Sequence, residues 1–142
     1  MRVVDANILI YAVNEGSAEH ERSRAWLDAA LNGEEPVGFA WIALLAFLRL
    51  ATHRAVFARP LDVSDATDIV RAWLAQPSAV VVEPSSRHAD VLAGLLKETG
   101  AAGNLVNDAH LAALAIEHDA VLVSLDTDFA RFRGLRWEPP QA

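Results

Sequence analysis

Four aspartates stand where a chain of this pattern could carry out chemistry. Asp5 follows one short apolar run, and Asp108 begins a helical pattern. Asp126 and Asp128 follow a second apolar run. In a parallel α/β sheet, the N-termini of helices and the C-termini of strands lie on the same edge, where such sheets bind their ligands. Three separate strand-to-helix junctions are therefore predicted to bring an acid to one rim.

Each of these aspartates also has an ordinary structural explanation. Asp5 could cap the helix that follows the first strand. Asp108 could favour its helix by lying in the first turn, at the positive end of the helix dipole. Asp126 and Asp128 could be turn residues. The functional interpretation therefore rests on the convergence of these acids and not on any one of them.

A cluster of carboxylates at one rim needs a cation. Carboxylates within a few ångströms repel one another and raise each other's pKa unless a positive ion lies between them. The sequence has no cysteine and no histidine pair at the spacing of metal ligands. Oxygen-only ligands favour a hard divalent cation, Mg²⁺ or Mn²⁺. Such a site typically activates water and binds phosphate oxygens, so the predicted chemistry is hydrolysis of a phosphodiester.

Length and composition restrict the class of protein. The chain has 142 residues, of which 53% are hydrophobic, and contains no cysteine. This predicts a single domain over residues 1–142, with one core and no disulfides. No run approaches membrane-spanning length, which favours a cytoplasmic protein without a membrane partner. The net charge of −7 argues against binding nucleic acid mainly through a cationic surface, although a bound cation could still contact phosphates.

Strands that alternate with helices predict an α/β sandwich around a mostly parallel sheet. The predicted strands are residues 2–4, a short edge strand at 37–40, 79–82, 120–123 and a last strand near 131–137. The predicted helices are residues 8–12, 18–31, 41–51, 63–74, 87–98 and about 108–118. The helix at 41–51 is apolar nearly all the way round, which is typical of a buried or interface helix.

Other polar residues near the predicted rim are weaker candidates. Asn7 and Ser124 could form secondary polar contacts there, although Ser124 could equally form a simple hydrogen bond at a strand end. His110 lies two positions after Asp108, so it is expected on the helix surface and not in the site. The histidines for which the sequence indicates no partner are His20, His53, His88 and His118.

Four segments carry a family resemblance. They are residues 3–10 (VVDANILI), 41–52 (WIALLAFLRLAT), 107–115 (NDAHLAALA) and 124–129 (SLDTDF). In this order the chain resembles a PIN-domain ribonuclease, and more closely a VapC-type toxin of bacterial toxin–antitoxin pairs. The resemblance implies a three-layer sandwich, with a parallel central sheet flanked by helices. It also implies Mg²⁺-dependent cleavage of RNA by a metal-activated water, a homodimer, and inhibition by a cognate VapB-type antitoxin.

The resemblance also implies which residues form the site. Asp5, Asp108 and Asp126 carry over directly as catalytic residues and metal ligands, and Asp128 carries over as a further metal ligand. Family members differ in which acid of the last turn faces the metal, so the choice between Asp126 and Asp128 stays open. One position departs from the family pattern. The usual second acid is a glutamate three residues before an arginine, and Ala46 occupies that position before Arg49.

Three functions are compatible with these residues. The first is a metal-dependent endoribonuclease toxin, in which Arg49, Arg54 or Arg59 could hold the RNA backbone. The second is a catalytically weak PIN-like module that binds RNA or protein, for which the missing glutamate is the reason. The third, a phosphatase of the haloacid dehalogenase type, is disfavoured because Asn7 stands where its second aspartate belongs. The RNA target, its cleavage site and the identity of the antitoxin are not determined by the sequence.

Overall fold

Five short parallel strands form the centre of the molecule. The computed structural model describes residues 1–100, 103 and 105–141. The strands are β1 (Arg2–Val4), β2 (Val37–Phe39), β3 (Ala79–Val81), β4 (Val121–Val123) and β5 (Arg136–Glu138). Their order in the sheet is β3-β2-β1-β4-β5, and every pair of neighbours is parallel. The carboxyl ends of β1 and β4 are therefore adjacent at one edge.

Helices connect the strands. They are α1 (Ala6–Val13), α2 (His20–Asn32), α3 (Trp41–Ala51), α4 (Val63–Leu74), α5 (His88–Thr99) and α6 (Leu105–Glu117). A short 3₁₀ helix at Thr127–Arg131 follows β4. The bounds predicted for α3 and α4 are confirmed at both ends. Among the described residues, no helix is both long enough and apolar enough to cross a membrane.

Two layers of core lie on opposite faces of the sheet. Successive residues of a strand point to opposite faces of the sheet. Val4 and Val123 therefore lie in the core on the face covered by α1 to α4. Val3 and Leu122 pack on the other side, against the alanine-rich α6 and against α5. The three-layer sandwich implied by the resemblance is confirmed.

The prediction that β2 is an edge strand is wrong. Val37 and Phe39 are fully buried, because β2 lies between β1 and β3. The edge position belongs to β3, whose Val80 and Val81 are 42% and 37% exposed. Both segments are short and apolar, so their composition does not show which one has a neighbour on each side. That position depends on how the intervening helices cross the sheet.

Helix α3 is apolar on more than one face. Leu44, Phe47 and Ala51 are fully buried in the core, where the Phe47 ring meets the Trp73 ring edge-on at 4.8 Å between centroids. On the outer side, Trp41 is 45% and Leu45 is 58% exposed. The prediction of a buried helix is confirmed for the inner face, and its outer apolar residues belong to a surface described below.

Candidate functional site

Asp5 lies directly after β1 and forms one side of the site. Its Oδ1 accepts a hydrogen bond from the backbone N–H of Ala6 at 2.7 Å, so it caps α1 as its structural explanation predicted. Its Oδ2 accepts a hydrogen bond from the Ser124 hydroxyl at 2.7 Å. The backbone N–H of Asp5 also donates to the carbonyl of Val123 at 3.0 Å. The carboxylate is thus held in one orientation at the rim between β1 and β4.

Ser124 connects the two strand ends. Its side chain is fully buried, and its hydroxyl donates to Asp5 while accepting from Asn7 Nδ2 at 3.1 Å and from the Asp126 N–H at 3.0 Å. The amide oxygen of Asn7 in turn accepts from the Leu125 N–H at 3.3 Å. The prediction of polar contacts by Asn7 and Ser124 at this rim is confirmed. One hydroxyl therefore sets the positions of two of the predicted site acids.

The two acids that follow β4 have different surroundings. Asp126 caps the 3₁₀ helix, with its Oδ1 accepting from the Asp128 N–H at 2.9 Å. Asp128 is exposed and forms an ion pair with Arg131, Oδ1 to Nη2, at 3.4 Å. The charge of Asp126 acts on both Asp5 and Asp108, whereas that of Asp128 acts on Asp108 alone. The Ser124 hydroxyl, which bonds to both Asp5 and the backbone N–H of Asp126, ties Asp126 more closely than Asp128 to Asp5.

Asp108 reaches the same rim from a helix. It lies in the first turn of α6, which follows α5 and not a strand, so the expected third strand-to-helix junction does not exist. Burial raises the pKa of Asp108 to about 6, with further contributions from the charges of Asp5, Asp126 and Asp128, while Arg131 lowers it. The four acids thus lie near enough for the charges of the other three to act on Asp108, although Asp108 arrives by a different route than predicted.

The pKa of Asp5 is raised as well. Burial is the main cause and the charge of Asp126 adds to it, whereas the hydrogen bonds from Ser124 and Ala6 act in the opposite direction. These carboxylates therefore repel one another, which is the situation that a cation relieves. Their oxygen-only chemistry fits Mg²⁺ or Mn²⁺. In the described part of the chain, however, no three His, Asp or Glu side chains lie close enough together to hold a metal ion as they stand.

A cleft of about 290 Å³ opens beside the acids. Asp5 and Asp108 line it from one side, together with residues of α6. Ala46 and Arg49 line it from α3, so position 46 borders the same cleft as Asp5 and Asp108. Of the three arginines predicted as RNA contacts, Arg49 alone lines this cleft, because Arg54 and Arg59 lie in the loop after α3.

Histidines for which the sequence indicated no partner form hydrogen bonds in the structure. His88 Nδ1 is 2.5 Å from Glu117 Oε2, and His88 Nε2 is 2.9 Å from His110 Nδ1. The N–H and the hydroxyl of Ser85 both donate to Glu117. Burial raises the pKa of Glu117, but these hydrogen bonds outweigh it, so the pKa lies below its usual value. Positions 110 and 117 are seven apart on α6, and this spacing could have indicated their shared face.

The remaining histidines also contact the backbone. His20 bonds to the carbonyl of Tyr11 at 2.9 Å, and His118 bonds to the carbonyl of Glu83 at 2.7 Å. The ring nitrogen of His53 accepts from the N–H of Ala55 at 3.0 Å. These histidines stabilise loops and helix ends, and none of them lines the cleft beside the acids. Arg131, which the sequence did not indicate, lies close enough for its charge to lower the pKa of Asp108.

Comparison with known proteins gives sequence relatives along the whole chain. The profile of the PIN domain matches residues 2–135. The chain is 58% identical to Ribonuclease VapC37 of Mycobacterium tuberculosis over 142 residues, which cover 100% of this chain and 99% of that protein. It is 44% identical to Ribonuclease VapC33 of the same organism over 140 residues, covering 99% and 98% of the two chains.

Solved structures with the same fold include toxin–antitoxin proteins. VapBC2 from Rickettsia felis, bound to a DNA fragment from its promoter, matches with a TM-score of 0.72 and 19% identity, covering 99% of this chain and 98% of that one. VapC20 from Mycobacterium tuberculosis, a toxin that cleaves the sarcin–ricin loop, matches with a TM-score of 0.67 and 18% identity, covering 96% and 99%. At these identities the likeness establishes the fold.

Proposed function

Since this chain belongs to the PIN-domain family and within it to the VapC ribonucleases, we propose that it is a Mg²⁺-dependent endoribonuclease, the toxin of a type II toxin–antitoxin pair. Its reaction would be hydrolysis of phosphodiester bonds in RNA. The observation that carries the proposal is that Asp5 and Asp108 line one cleft, while the Ser124 hydroxyl bonds both to Asp5 and to the backbone N–H of Asp126. Carboxylates in this relation, at the carboxyl edge of a parallel sheet, suit a hard divalent cation.

The acids differ in how firmly the protein holds them. Asp5, Asp108 and Asp126 would hold Mg²⁺, or Mn²⁺ in its place, with Asp128 in support. A bound ion of this kind lowers the pKa of water and neutralises charge on a phosphate. Hydrogen bonds orient Asp5 and Asp126 before any ion arrives. Asp108 accepts no hydrogen bond from the residues that the structure describes, so its carboxylate can turn toward an ion.

The proposed partners follow from the relatives. Solved neighbours include VapBC complexes, which pair a toxin with an antitoxin. We therefore expect this chain to be inhibited by a VapB-type antitoxin and to form a homodimer. Its substrate, RNA, and its antitoxin are expected to meet it in the cytoplasm.

A second candidate function has one observation in its favour. Ala46 lines the cleft beside Asp5 and Asp108 and contributes no ligand there. With one carboxylate fewer, the site would bind Mg²⁺ more weakly, and the chain could act as a binding module for RNA or protein. Calorimetric titration with Mg²⁺ separates the two functions, because an enzyme of the proposed kind binds the ion at concentrations that also support cleavage.

Replacing Asp108 by asparagine tests the proposed reaction. The substitution keeps the side chain's size but removes one ligand charge, so RNA cleavage should fall by orders of magnitude. Cleavage by the purified native protein should require Mg²⁺ or Mn²⁺ and stop in a chelator. The measurement is the rate of cleavage of single-stranded or looped RNA with each ion and without it.

Asp90→Asn is the matched control. Asp90 occupies the first turn of α5, as Asp108 does in α6, but it is exposed and lies away from the cleft. The control should cleave RNA at the native rate. If Asp108→Asn protein cleaves RNA undiminished in the presence of chelator, the metal-dependent mechanism is wrong.

A further inference from the structure

The backbone of Ser124 is held by the edge strand β5. Its N–H donates to the carbonyl of Glu138 at 3.1 Å, in line with the parallel pairing of β4 and β5. Its carbonyl accepts a hydrogen bond at 3.0 Å from the indole Nε1–H of Trp137. Strand β5 therefore fixes both backbone groups of the residue whose hydroxyl bonds to Asp5 and to the Asp126 N–H.

The bond from Trp137 takes the place of one that the sheet cannot provide. Continuing the register of β4 and β5 by one residue sets Ser124 opposite Pro139. In a parallel ladder, the Ser124 carbonyl would then accept from the backbone N–H of residue 140. Pro140 has no N–H to donate. Because Ser124 is fully buried, a carbonyl without a donor would cost free energy, and the side chain of Trp137 supplies that donor.

Packing fixes the position of this donor. Trp137 is paired with Leu122 in the register of the sheet, and both side chains lie on the face that carries α5 and α6. Trp137 is half-buried against that core. An indole has one donor and no acceptor, so this ring has a single way to bond to its surroundings. Its N–H is therefore directed at the Ser124 carbonyl for as long as the ring stays packed.

Trp137 differs in this respect from the other three tryptophans. Within the part of the chain that the structure describes, the indoles of Trp26, Trp41 and Trp73 form no hydrogen bond. Trp73 instead contacts two phenylalanine rings of the core. Trp137 also lies outside the cleft, so any effect that it has on the acids passes through Ser124.

We propose that Trp137 is a positioning residue for the metal-dependent reaction: by holding the Ser124 carbonyl, its indole N–H keeps the Ser124 hydroxyl directed at Asp5 and at the Asp126 N–H. This rests on the proposed function and adds to it a residue of the edge strand. Hydrogen bonds behind the ligands of a metal orient those ligands and raise the affinity for the ion. They matter more where the ligands repel one another, because repulsion drives unrestrained carboxylates apart.

Removing the donor should weaken ion binding. Trp137→Phe keeps an aromatic ring and removes the N–H. Calorimetric titration should show a Kd for Mg²⁺ raised about tenfold, the lower end of the loss expected when a hydrogen bond behind a metal ligand is removed. With RNA, kcat should fall at low Mg²⁺ and recover at saturating Mg²⁺, while KM for RNA stays unchanged. Trp137→Leu, which removes the ring as well, should lower the Tm further without raising this Kd further.

Nuclear magnetic resonance observes the Ser124 hydroxyl without any metal. The Asn7 side-chain amide and the Asp126 backbone N–H both donate to that hydroxyl. In the metal-free protein, Trp137→Phe should therefore shift the ¹H–¹⁵N resonances of both groups. In the native protein, the assigned indole resonance of Trp137 should move when Mg²⁺ is added. This last measurement needs no variant, so it remains available if Trp137→Phe does not fold.

Trp73→Phe is the matched control. Trp73 is also half-buried, but its ring packs against the core on the opposite face of the sheet, and its N–H bonds to none of the described residues. The control should lose stability through altered packing. It should keep the native Kd for Mg²⁺ and the native resonances of Asn7 and Asp126.

Three results would overturn the proposal. They are a native Kd for Mg²⁺ in Trp137→Phe, unmoved Asn7 and Asp126 resonances in that variant, and an indole resonance of Trp137 that does not respond to Mg²⁺ in a native protein that binds the ion. A loss of kcat that saturating Mg²⁺ does not restore would also contradict it. The proposed function fails separately, when the native protein binds no Mg²⁺ or cleaves no RNA. The resonance shifts in metal-free protein then still decide whether Trp137 positions the Ser124 hydroxyl.

Discussion

At the scale of single residues, the negative charges of three other carboxylates oppose the ionisation of Asp108. Its pKa is about 6 in the folded chain, against an ordinary value of 3.8. Between these two values the folded state binds more protons than the unfolded state does. The free energy of unfolding therefore decreases as the pH rises from about 4 to about 6, and it stays lower above that range. The same charge that suits a cation thus destabilises the metal-free protein.

Asp108→Asn should therefore stabilise the metal-free protein at neutral pH. Above about pH 6 its Tm should exceed the native Tm by about 3 °C, because the variant has no charge to repel. The difference should disappear below about pH 4, where Asp108 is protonated in both states. Mg²⁺ should raise the native Tm and have little effect on the variant. Thermal melts over this pH range, with and without Mg²⁺, make the measurement, and a pH-independent difference would contradict it.

Ala46 is the second informative residue. It lines the cleft with Asp5 and Asp108, so Ala46→Glu would add a further carboxylate beside them. We expect a lower Tm in the metal-free protein through charge repulsion, and recovery of that Tm when Mg²⁺ is added. The variant should also need less Mg²⁺ for cleavage. If Mg²⁺ raises the Tm of the variant no more than it raises the native Tm, position 46 does not contribute to an ion site.

At the scale of elements, the site depends on how the ends of β1 and β4 are joined. The Ser124 hydroxyl bonds to groups from both junctions, to Asp5 and Asn7 on one side and to the Asp126 N–H on the other. Neither junction alone orients both acids. The parallel pairing of β1 with β4, which places Val4 opposite Val123, brings the two junctions within hydrogen-bonding distance.

Ser124→Ala should loosen this connection. It leaves the Asn7 amide and the Asp126 N–H without an acceptor, and Asp5 loses a donor. We expect a loss of about 1–3 kcal/mol in the free energy of unfolding, since Ser124 is fully buried. RNA cleavage should fall and its pH profile should shift upward, because the Ser124 hydrogen bond holds down the pKa of Asp5. Chemical denaturation and pH–rate profiles measure these effects. Ser86→Ala, at an exposed serine, is the control and should behave as the native protein does.

At the scale of the whole molecule, the start of α3 exposes apolar side chains that no other part of the described chain covers. Trp41 is 45% exposed at the start of α3, and Leu45 follows it on the next turn. A tryptophan exposed to this degree beside another apolar residue is typical of an interface. The resemblance to VapC toxins implies a homodimer, which would cover this end of the helix.

The native protein should therefore sediment as a dimer. Trp41→Gln should weaken the dimer, because it removes apolar area that the partner would bury, while the Tm of the remaining monomer changes little. Val63→Gln, a substitution at the exposed start of α4, should leave the dimer intact. Sedimentation equilibrium at several protein concentrations makes the measurement. A strict monomer that also binds no antitoxin segment would contradict this prediction.

The identity of the elements could be predicted from the sequence. The β-branched run before Asp5 predicts a strand and then a helix cap, and the bounds of α3 and α4 agree with the pattern at both ends. The acids of the site were also recognisable, because their positions next to apolar runs are local features. That residues 1–142 form a single domain stays a prediction, as do the roles of the four acids as metal ligands.

Tertiary structure decided which residues meet. Ser124 contacts Asp5 across 119 positions and His88 contacts His110 across 22, and no local pattern encodes either pair. The choice of Arg49 over Arg54 and Arg59 depends on which part of α3 faces α6. Hydrophobic periodicity determines the type of an element and its inner face, because these depend on neighbours within a few residues. The position of a strand in the sheet and the walls of a cleft depend on how distant elements pack, so they become visible only in the folded chain.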